Sequence, residues 1–531
     1  MEPRAWTESR LNVVGGTQIM VQRIRRWLSA GNPSAIPNLL WLIVGCVCLQ
    51  FMGGKWNILI AVWIGSVFFL RYFRSQRGWK GLLLAAPFIL VASHLFFLGL
   101  AVQVTTEFQI LIAVSYALYL VIPCLMDQLL YKRLNSALLS TLVYPAGLIV
   151  VQFALSYIEA LGTVLNWTGA LFSMKPLLQL VSITGVWGPS FLVGWCASIL
   201  ATLWEEGFDL RRVKLPAAAF TLVFVAVMLL GGIRMTFLAP APGTVKVGSV
   251  VVGLPQDNLF YQYLDLPAAA QLEQKEQYRR WSREVQDELF AASERLTPAG
   301  INILAWASGN AVVFAEDEAA LVQRMQDFAR RRRVYFFPSL LVLGDYAGPD
   351  RNRVLAIRPD GEIAYTHFKG RNPNAGFYQG NAIETIDTPY GRIASPICFE
   401  MEFHRFIRQV GQQGVDILIV PGDEPSRDNA ILHTEISMLR AVENGSSMLR
   451  TTLEGLTMGA DYQGRVLSQM NYFVTLENRT LITELPVRGT RTLYARWGDW
   501  FAYVCIAYLL LAAILGIRRT TRSAGRALLP A

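Results

Sequence analysis

The chain has 531 residues, of which 53% are hydrophobic and 16% charged. A soluble domain carries roughly 25% charged residues, and the mean hydropathy here is +0.35, which excludes both an ordinary soluble enzyme and a disordered chain. A net charge of +9 points toward nucleic acid only until the basic residues are located, and six cysteines in a chain this long make no disulfide scaffold.

A helix needs about 20 apolar residues to cross a bilayer. In chain order, such runs occupy 36–54, 57–73, 81–102, 109–126, 138–158, 177–203 and 216–238, and an eighth lies near 500–517. With the N-terminus in the cytoplasm, the inside segments hold Arg23, Arg25 and Arg26, then Arg71, Arg74, Arg77 and Lys80, then Lys132 and Arg133. Arg211, Arg212 and Lys214 follow, and then Arg518, Arg519 and Arg522, while the outside loops hold little beyond Lys55 and Lys175. The bias alternates with each run, as the positive-inside rule requires, and it accounts for the high charge without nucleic acid. The expected organisation is a basic cytoplasmic N-terminus (1–35), a seven-helix membrane domain (36–239), a domain outside the membrane (244–495), a last span (499–517) and a cytoplasmic tail (518–531). No cleaved leader is expected, because no early apolar stretch ends in a small-residue cleavage site.

Pro240, Pro242 and Gly243 read as a linker. Beyond it the pattern becomes that of alternating strands and helices. Lys246–Gly253, Ile301–Trp306, Val334–Val342, Gly391–Cys398 and Asp416–Val420 read as strands, with more at 447–453, 456–462 and 465–470. Helical spacing marks 268–295, Ala319–Arg332, 402–413 and 430–444, and Pro359-Asp360-Gly361 turns a hairpin. The fold class expected is a membrane α-helical bundle of eight spans carrying an α/β sandwich.

Five cysteines lie in the apolar runs, where free Cys serves as a small hydrophobe. Cys398 alone lies in the second domain, at the end of an apolar strand and before a helix, where N–H groups can favour a thiolate. A buried structural thiol is the alternative. His404 and His433 lack metal-ligand spacing among their neighbouring acids, and no glycine-rich phosphate loop is present.

Pro396-Ile397-Cys398-Phe399-Glu400 resembles the nucleophile motif of the carbon–nitrogen hydrolase (nitrilase) superfamily. Trp306-Ala307-Ser308 looks like the strand that usually ends Trp-Pro-Glu, and Tyr365-Thr366-His367 lies where that superfamily has Tyr-x-Lys. Arg440-Ala441-Val442-Glu443 and Asp461-Tyr462-Gln463-Gly464 resemble two later motifs, and Gln256 stands where a Gln often follows the first strand. Leu178-Gln179-Leu180, Gly185-Val186-Trp187-Gly188 and Phe191-Leu192-Val193 are similar to a signature span of the superfamily's membrane branch, the apolipoprotein N-acyltransferases.

This resemblance implies a nitrilase-like αββα sandwich on the periplasmic or outer face of a bacterial cytoplasmic membrane, acting as a monomer without a cofactor or metal. It implies a Cys398 thioester formed from a phospholipid acyl donor and passed to an amine acceptor such as a lipoprotein N-terminus. Nucleic acid plays no part. Glu400 and Phe399 match pocket positions, Glu443 and Trp306 supporting ones. The sequence departs from the pattern at two places. Ser308 stands where the base Glu belongs, and His367 where the Lys belongs. Lys369, two residues on, shares the His367 face of an alternating strand, so both are candidates. The lid after Lys369 lacks its usual Glu, and Gly422-Asp423-Glu424-Pro425 replaces an aromatic loop. Three readings stay open: a working site with His367 as base, a paralogue without turnover that binds lipid or lipoprotein or partners an active enzyme, and an enzyme for another acyl or amide substrate.

Overall fold

A computed structural model describes residues 35–76, 79–98, 106–158, 162–164, 166–238, 243–252, 262–263, 265–343, 351–372, 376–377, 382–424, 427–471 and 479–527. The basic N-terminus, Pro240, Pro242, Gln256 and Pro425 lie outside the described residues. Eight helices correspond to the eight apolar runs: α1 (Ala35–Leu49), α2 (Leu59–Ser75), α3 (Trp79–Phe97), α4 (Thr106–Leu130), α5 (Ala137–Leu155), α6 (Trp187–Glu205) and α7 (Leu210–Phe237), and after the sandwich a last helix (Trp500–Ala527). Six are long and apolar enough to cross a membrane; α1 and α2, at 15 and 17 residues, are shorter. Helix α7 buries only Val213, Pro216 and Gly231, and Leu222, Leu229, Leu230 and Phe237 stand 61–76% exposed. Hydrocarbon is the solvent such a surface fits.

The run expected as one span over 177–203 is broken. Short helices at Lys175–Leu178 and Val181–Thr184 end at Gly185, whose φ is +66°, and α6 starts only at Trp187. A side chain at 185 would meet Tyr494 at 2.6 Å, so glycine serves both the left-handed turn and the close approach.

The second half folds as β1 (Thr244–Val250), α8 (Ala268–Leu296), β2 (Ile303–Trp306), β3 (Ala311–Phe314), α9 (Glu318–Arg332), β4 (Tyr335–Phe337), β5 (Ser339–Leu343), β6 (Arg351–Ile357) and β7 (Ile363–Phe368). A small pair, β8 (Arg371–Asn372) and β9 (Gly376–Phe377), precedes β10 (Thr385–Thr388), β11 (Gly391–Ala394), α10 (His404–Gln413), β12 (Ile417–Asp423) and α11 (Arg427–Asn444). β13 (Ser447–Leu453), β14 (Leu456–Ala460), β15 (Val466–Asn471) and β16 (Thr480–Pro486) complete it, before a last helix, α12, at Trp500–Ala527. The stretch expected as one strand at 334–342 is two, split at Pro338, which has no N–H to give a ladder. The strand expected to reach Cys398 stops at Ala394, before Pro396. β3, β8, β9, β10 and β16 carried no sequence expectation.

The first sheet runs β16-β1-β2-β4-β6-β5-β3 with β7 on β6, and the second runs β10-β11-β12-β13-β14-β15. Val245, Val247, Ile303, Ala305, Ile393, Ile417 and Ile419 form the core between them. Helices α8 and α9 cover the outer face of the first sheet through Leu289, Leu321, Met325 and Phe328. On the far side, Phe406, Ile407, Met438 and Val442 of α10 and α11 join one continuous core with Leu171, Leu178 and Val181 of the membrane half. The layers are therefore helices, sheet, sheet, helices, membrane bundle. Only the α10–α11 layer separates the second sheet from the bundle, and the thiol stands beyond the carboxyl end of β11 in that sheet.

Candidate active site

Cys398 follows β11 through Ser395-Pro396-Ile397 and opens a tight 3₁₀ turn, Cys398–Glu402. Its φ is +49°, a left-handed conformation that costs a non-glycine residue of order 1–2 kcal/mol. Such strain persists where the surroundings enforce it, commonly at reactive positions. Here the enforcing contacts come from Glu400. Its side chain turns back to accept the Ile397 N–H at 2.7 Å and also takes the Gly370 N–H at 2.7 Å.

β11 and β12 are parallel neighbours, with Ala394 opposite Leu418, so their carboxyl ends deliver Cys398 and Asp423-Glu424 to the same place. The Cys398 thiol lies 3.7 Å from the Asp423 carbonyl and 3.7 Å from Glu424 Oε1. Glu424 is held from three directions. Its N–H bonds the Leu453 carbonyl at 3.0 Å, His433 Nδ1 lies 3.0 Å from Oε2, and the Arg450 guanidinium grips Oε1. Arg450 projects from the middle of the buried strand β13. Gly422 makes room for it, since a Cβ there would lie 3.0 Å from its guanidinium.

Charge sets the resting protonation. Burial pushes the Glu424 carboxyl up, but the His433 and Arg450 charges outweigh it and hold it below the usual carboxylate range. Burial and the Glu424 charge push the Cys398 thiol up, and Lys369 and Arg450 pull it part of the way back. The ground state is thus a thiol donating to a carboxylate, with a lysine cation near enough to stabilise negative charge on sulfur. Asp423, one residue earlier, is driven well above its ordinary value by burial and by Glu454 and Glu424.

The positions named from sequence separate into two groups. Cys398, Lys369, Phe399 and Glu400 come together; Phe399 packs its ring 5.4 Å from Phe403 and 6.0 Å from His433. His367 does not reach the thiol as a base. Its Nδ1 lies 3.0 Å from Glu384 and its Nε2 2.9 Å from Glu400. Burial lowers its pKa, the two carboxylates more than reverse this, and the net value is raised to about 10, so the ring is a bound cation at neutral pH. Ser308 is buried and accepts from Asn352 Nδ2 at 3.1 Å. Trp306 packs in the core rather than beside the thiol. It faces the outer helix layer, donating to Ser293 at 2.9 Å and packing on Phe290 and Phe336. Glu443 lies at the membrane junction, ion-paired to Arg440 and accepting the Val186 N–H at 3.0 Å. Among the described residues no grouping of His, Cys, Asp and Glu could hold a metal ion.

Sequence reasoning missed Glu424, Arg450 and Glu384. An arginine amid Ser447-Met-Leu and Thr-Thr-Leu453 was the available signal, because a charge inside a buried strand demands a partner.

Residues 288–493 match the family model described as carbon–nitrogen hydrolase. A solved amidase from Nesterenkonia sp. aligns with 16% identity over 50% of this chain and 97% of its own, at a TM-score of 0.38. The family match assigns a carbon–nitrogen hydrolase domain to residues 288–493. Similarity to curated relatives extends beyond that domain. An apolipoprotein N-acyltransferase of Geobacter metallireducens is 26% identical over 65% of this chain and 68% of its own. One of Shewanella oneidensis is 24% identical over 78% and 82%. Over most of its length the chain is thus similar to apolipoprotein N-acyltransferases.

Proposed function

We propose that this protein is a membrane acyltransferase in which Glu424, not the residue at position 308, serves as general base to Cys398. The observation that carries the reading is the contact between the Cys398 thiol and Glu424 Oε1 at 3.7 Å on a strained elbow. Glu424 accepts the thiol proton as sulfur attacks the ester carbonyl of a phospholipid. The C–O bond to the lysophospholipid breaks, the leaving alkoxide takes the proton from Glu424, and an acyl thioester stays on Cys398. Lys369 supplies the positive charge that the tetrahedral oxyanion needs. In the second half, Glu424 accepts a proton from an attacking amine and the thiolate leaves. The names of the relatives support a lipoprotein N-terminus as that amine. The basic residues support a cytoplasmic N-terminus, eight spans with α1 and α2 as the shortest, and a sandwich on the opposite face. The resemblance supports a monomer.

A second reading is favoured by Ser308 and His367, which are locked into hydrogen bonds and ion pairs that do no chemistry: a lipid- or lipoprotein-binding relative without turnover. Intact-protein mass spectrometry after incubation with phospholipid in detergent separates the two. An acyl mass on the wild type, removed by hydroxylamine and lacking in Cys398→Ala, is the expected result. No adduct, under conditions where a relative with an intact Glu–Lys–Cys set acylates itself, would establish the second reading.

A further inference from the structure

A cavity of about 430 Å³ opens where α5, α10 and the start of α12 meet. Its wall includes Tyr157, Arg405, Arg408, Trp497, Asp499 and Tyr503. Arg405 is exposed, and its guanidinium stacks 4.6 Å from the Tyr157 ring centroid. Arg408 is fixed by donating to the carbonyls of Ala495 at 3.1 Å and Arg496 at 2.9 Å. Among the described residues neither arginine has a carboxylate within ion-pair distance. The Asp499 carboxylate in the wall is already engaged. Trp187 Nε1 donates to it at 2.8 Å, Tyr494 OH at 3.3 Å, and His404 Nε2 lies 3.4 Å away. The cavity therefore presents two cations with no acid assigned to them.

Its position is as specific as its charge. Tyr157, Trp497 and Tyr503 are 47%, 54% and 55% exposed, and they sit just past the end of α5 and around the start of α12. Exposed Tyr and Trp at the ends of apolar helices mark the headgroup level of a bilayer. Phe406 lines the cavity and lies against the His367 ring at 6.3 Å, so the cavity backs onto the His367–Glu400 pair.

We propose that this cavity holds the phosphate headgroup of an anionic phospholipid, a bound lipid distinct from the acyl donor at Cys398. Paired guanidiniums match phosphate oxygens, and the aromatic rim lets the acyl chains run back along α5 and α12. The proposal rests on those helices being membrane-embedded and does not depend on acyl transfer.

The test is native mass spectrometry of the full chain in detergent with added phosphatidylglycerol, or phosphatidylcholine of the same acyl chains. Wild type should retain phosphatidylglycerol about ten-fold more tightly, the scale of one charge-assisted hydrogen bond. Arg405→Glu should lose that preference, and Arg295→Gln on the remote α8 should keep it. Arg405 is exposed, so folding should survive; Arg405→Gln, with no reversed charge, provides a second variant and should also weaken the preference. Equal retention of the two lipids by wild type, or an undiminished preference in both Arg405 variants, would overturn the proposal. Displacement of the lipid by millimolar inorganic phosphate would show that a free anion is the ligand and would overturn the lipid assignment.

Discussion

His367 Nε2 lies 2.9 Å from Glu400 Oε2, and Glu400 in turn pins the N–H groups of Ile397 and Gly370. The His367 imidazolium thus clamps the turn that carries the nucleophile. A raised pKa means that the folded protein holds this proton more tightly than the unfolded chain does. The stabilisation is complete below the ordinary value of 6.5 and is lost as pH rises toward about 10. Thermal unfolding in detergent should show a Tm that falls across this window. His367→Gln should flatten that slope and lower the neutral-pH Tm, because Glu400 is left buried without its one cationic partner, keeping only the Ile397 and Gly370 N–H groups. An unchanged slope in the variant would remove His367 from this role.

Glu424→Gln tests the base. The amide keeps the side-chain shape but cannot accept the thiol proton, so thioester formation should slow by about 10²–10⁴-fold. Binding of phospholipid should be little altered. Arg450 and His433 lose their counter-charge, so a melting curve must accompany the rate measurement. If the variant is folded and acylates at the wild-type rate, Glu424 is not the base.

Ser308→Glu restores the side chain expected from the family pattern at that strand end. It is expected to bring no gain. Ser308 is buried, its neighbour Gly309 has Asp423 Oδ2 within 3.0 Å of a built Cβ, and Glu424 and Glu454 already crowd the region with acid. Another carboxyl there should be protonated, and it should lower the Tm. Faster acylation in the single variant, measured as the rate of adduct formation, would show that the base position is still vacant at 308.

How legible this was in the sequence depended on the range of the interactions. The eight apolar runs needed only hydropathy and charge placement, so each has its helix. The Gly185 break went unseen inside an apolar run because what forces it is Tyr494, more than 300 residues away. Cys398 was legible because its motif is contiguous. Glu424 was not, because parallel strands β11 and β12 bring their ends together across the intervening α10, and only topology reveals that neighbourhood. Trp306 was given a supporting position by its neighbours in the motif. Strand alternation turned it the other way, with Ile303 and Ala305 facing between the sheets and Leu304 and Trp306 facing α8.

Glu443 shows how the two halves are coupled. One carboxylate oxygen accepts the Val186 N–H at the Gly185 turn, the other is gripped by Arg440, and Arg440 also donates to Thr163 Oγ1 at 2.9 Å. Thr163 in turn donates through its hydroxyl, at 2.8 Å, to the carbonyl of Glu402, four residues past the nucleophile. This chain runs from the start of α6 to the Cys398 turn without leaving buried groups. Glu443→Gln leaves the Arg440 cation buried without its partner, a change of about 3–5 kcal/mol when the pair is fully desolvated. We expect a lower Tm and a loosened nucleophile turn, seen as faster alkylation of Cys398 by a small maleimide in detergent. Thr163→Val removes the hydroxyl link and keeps the ion pair, so it should raise the alkylation rate with a smaller fall in Tm. Unchanged thiol reactivity in both variants would confine Glu443 to fastening the domains and would break its link to the site.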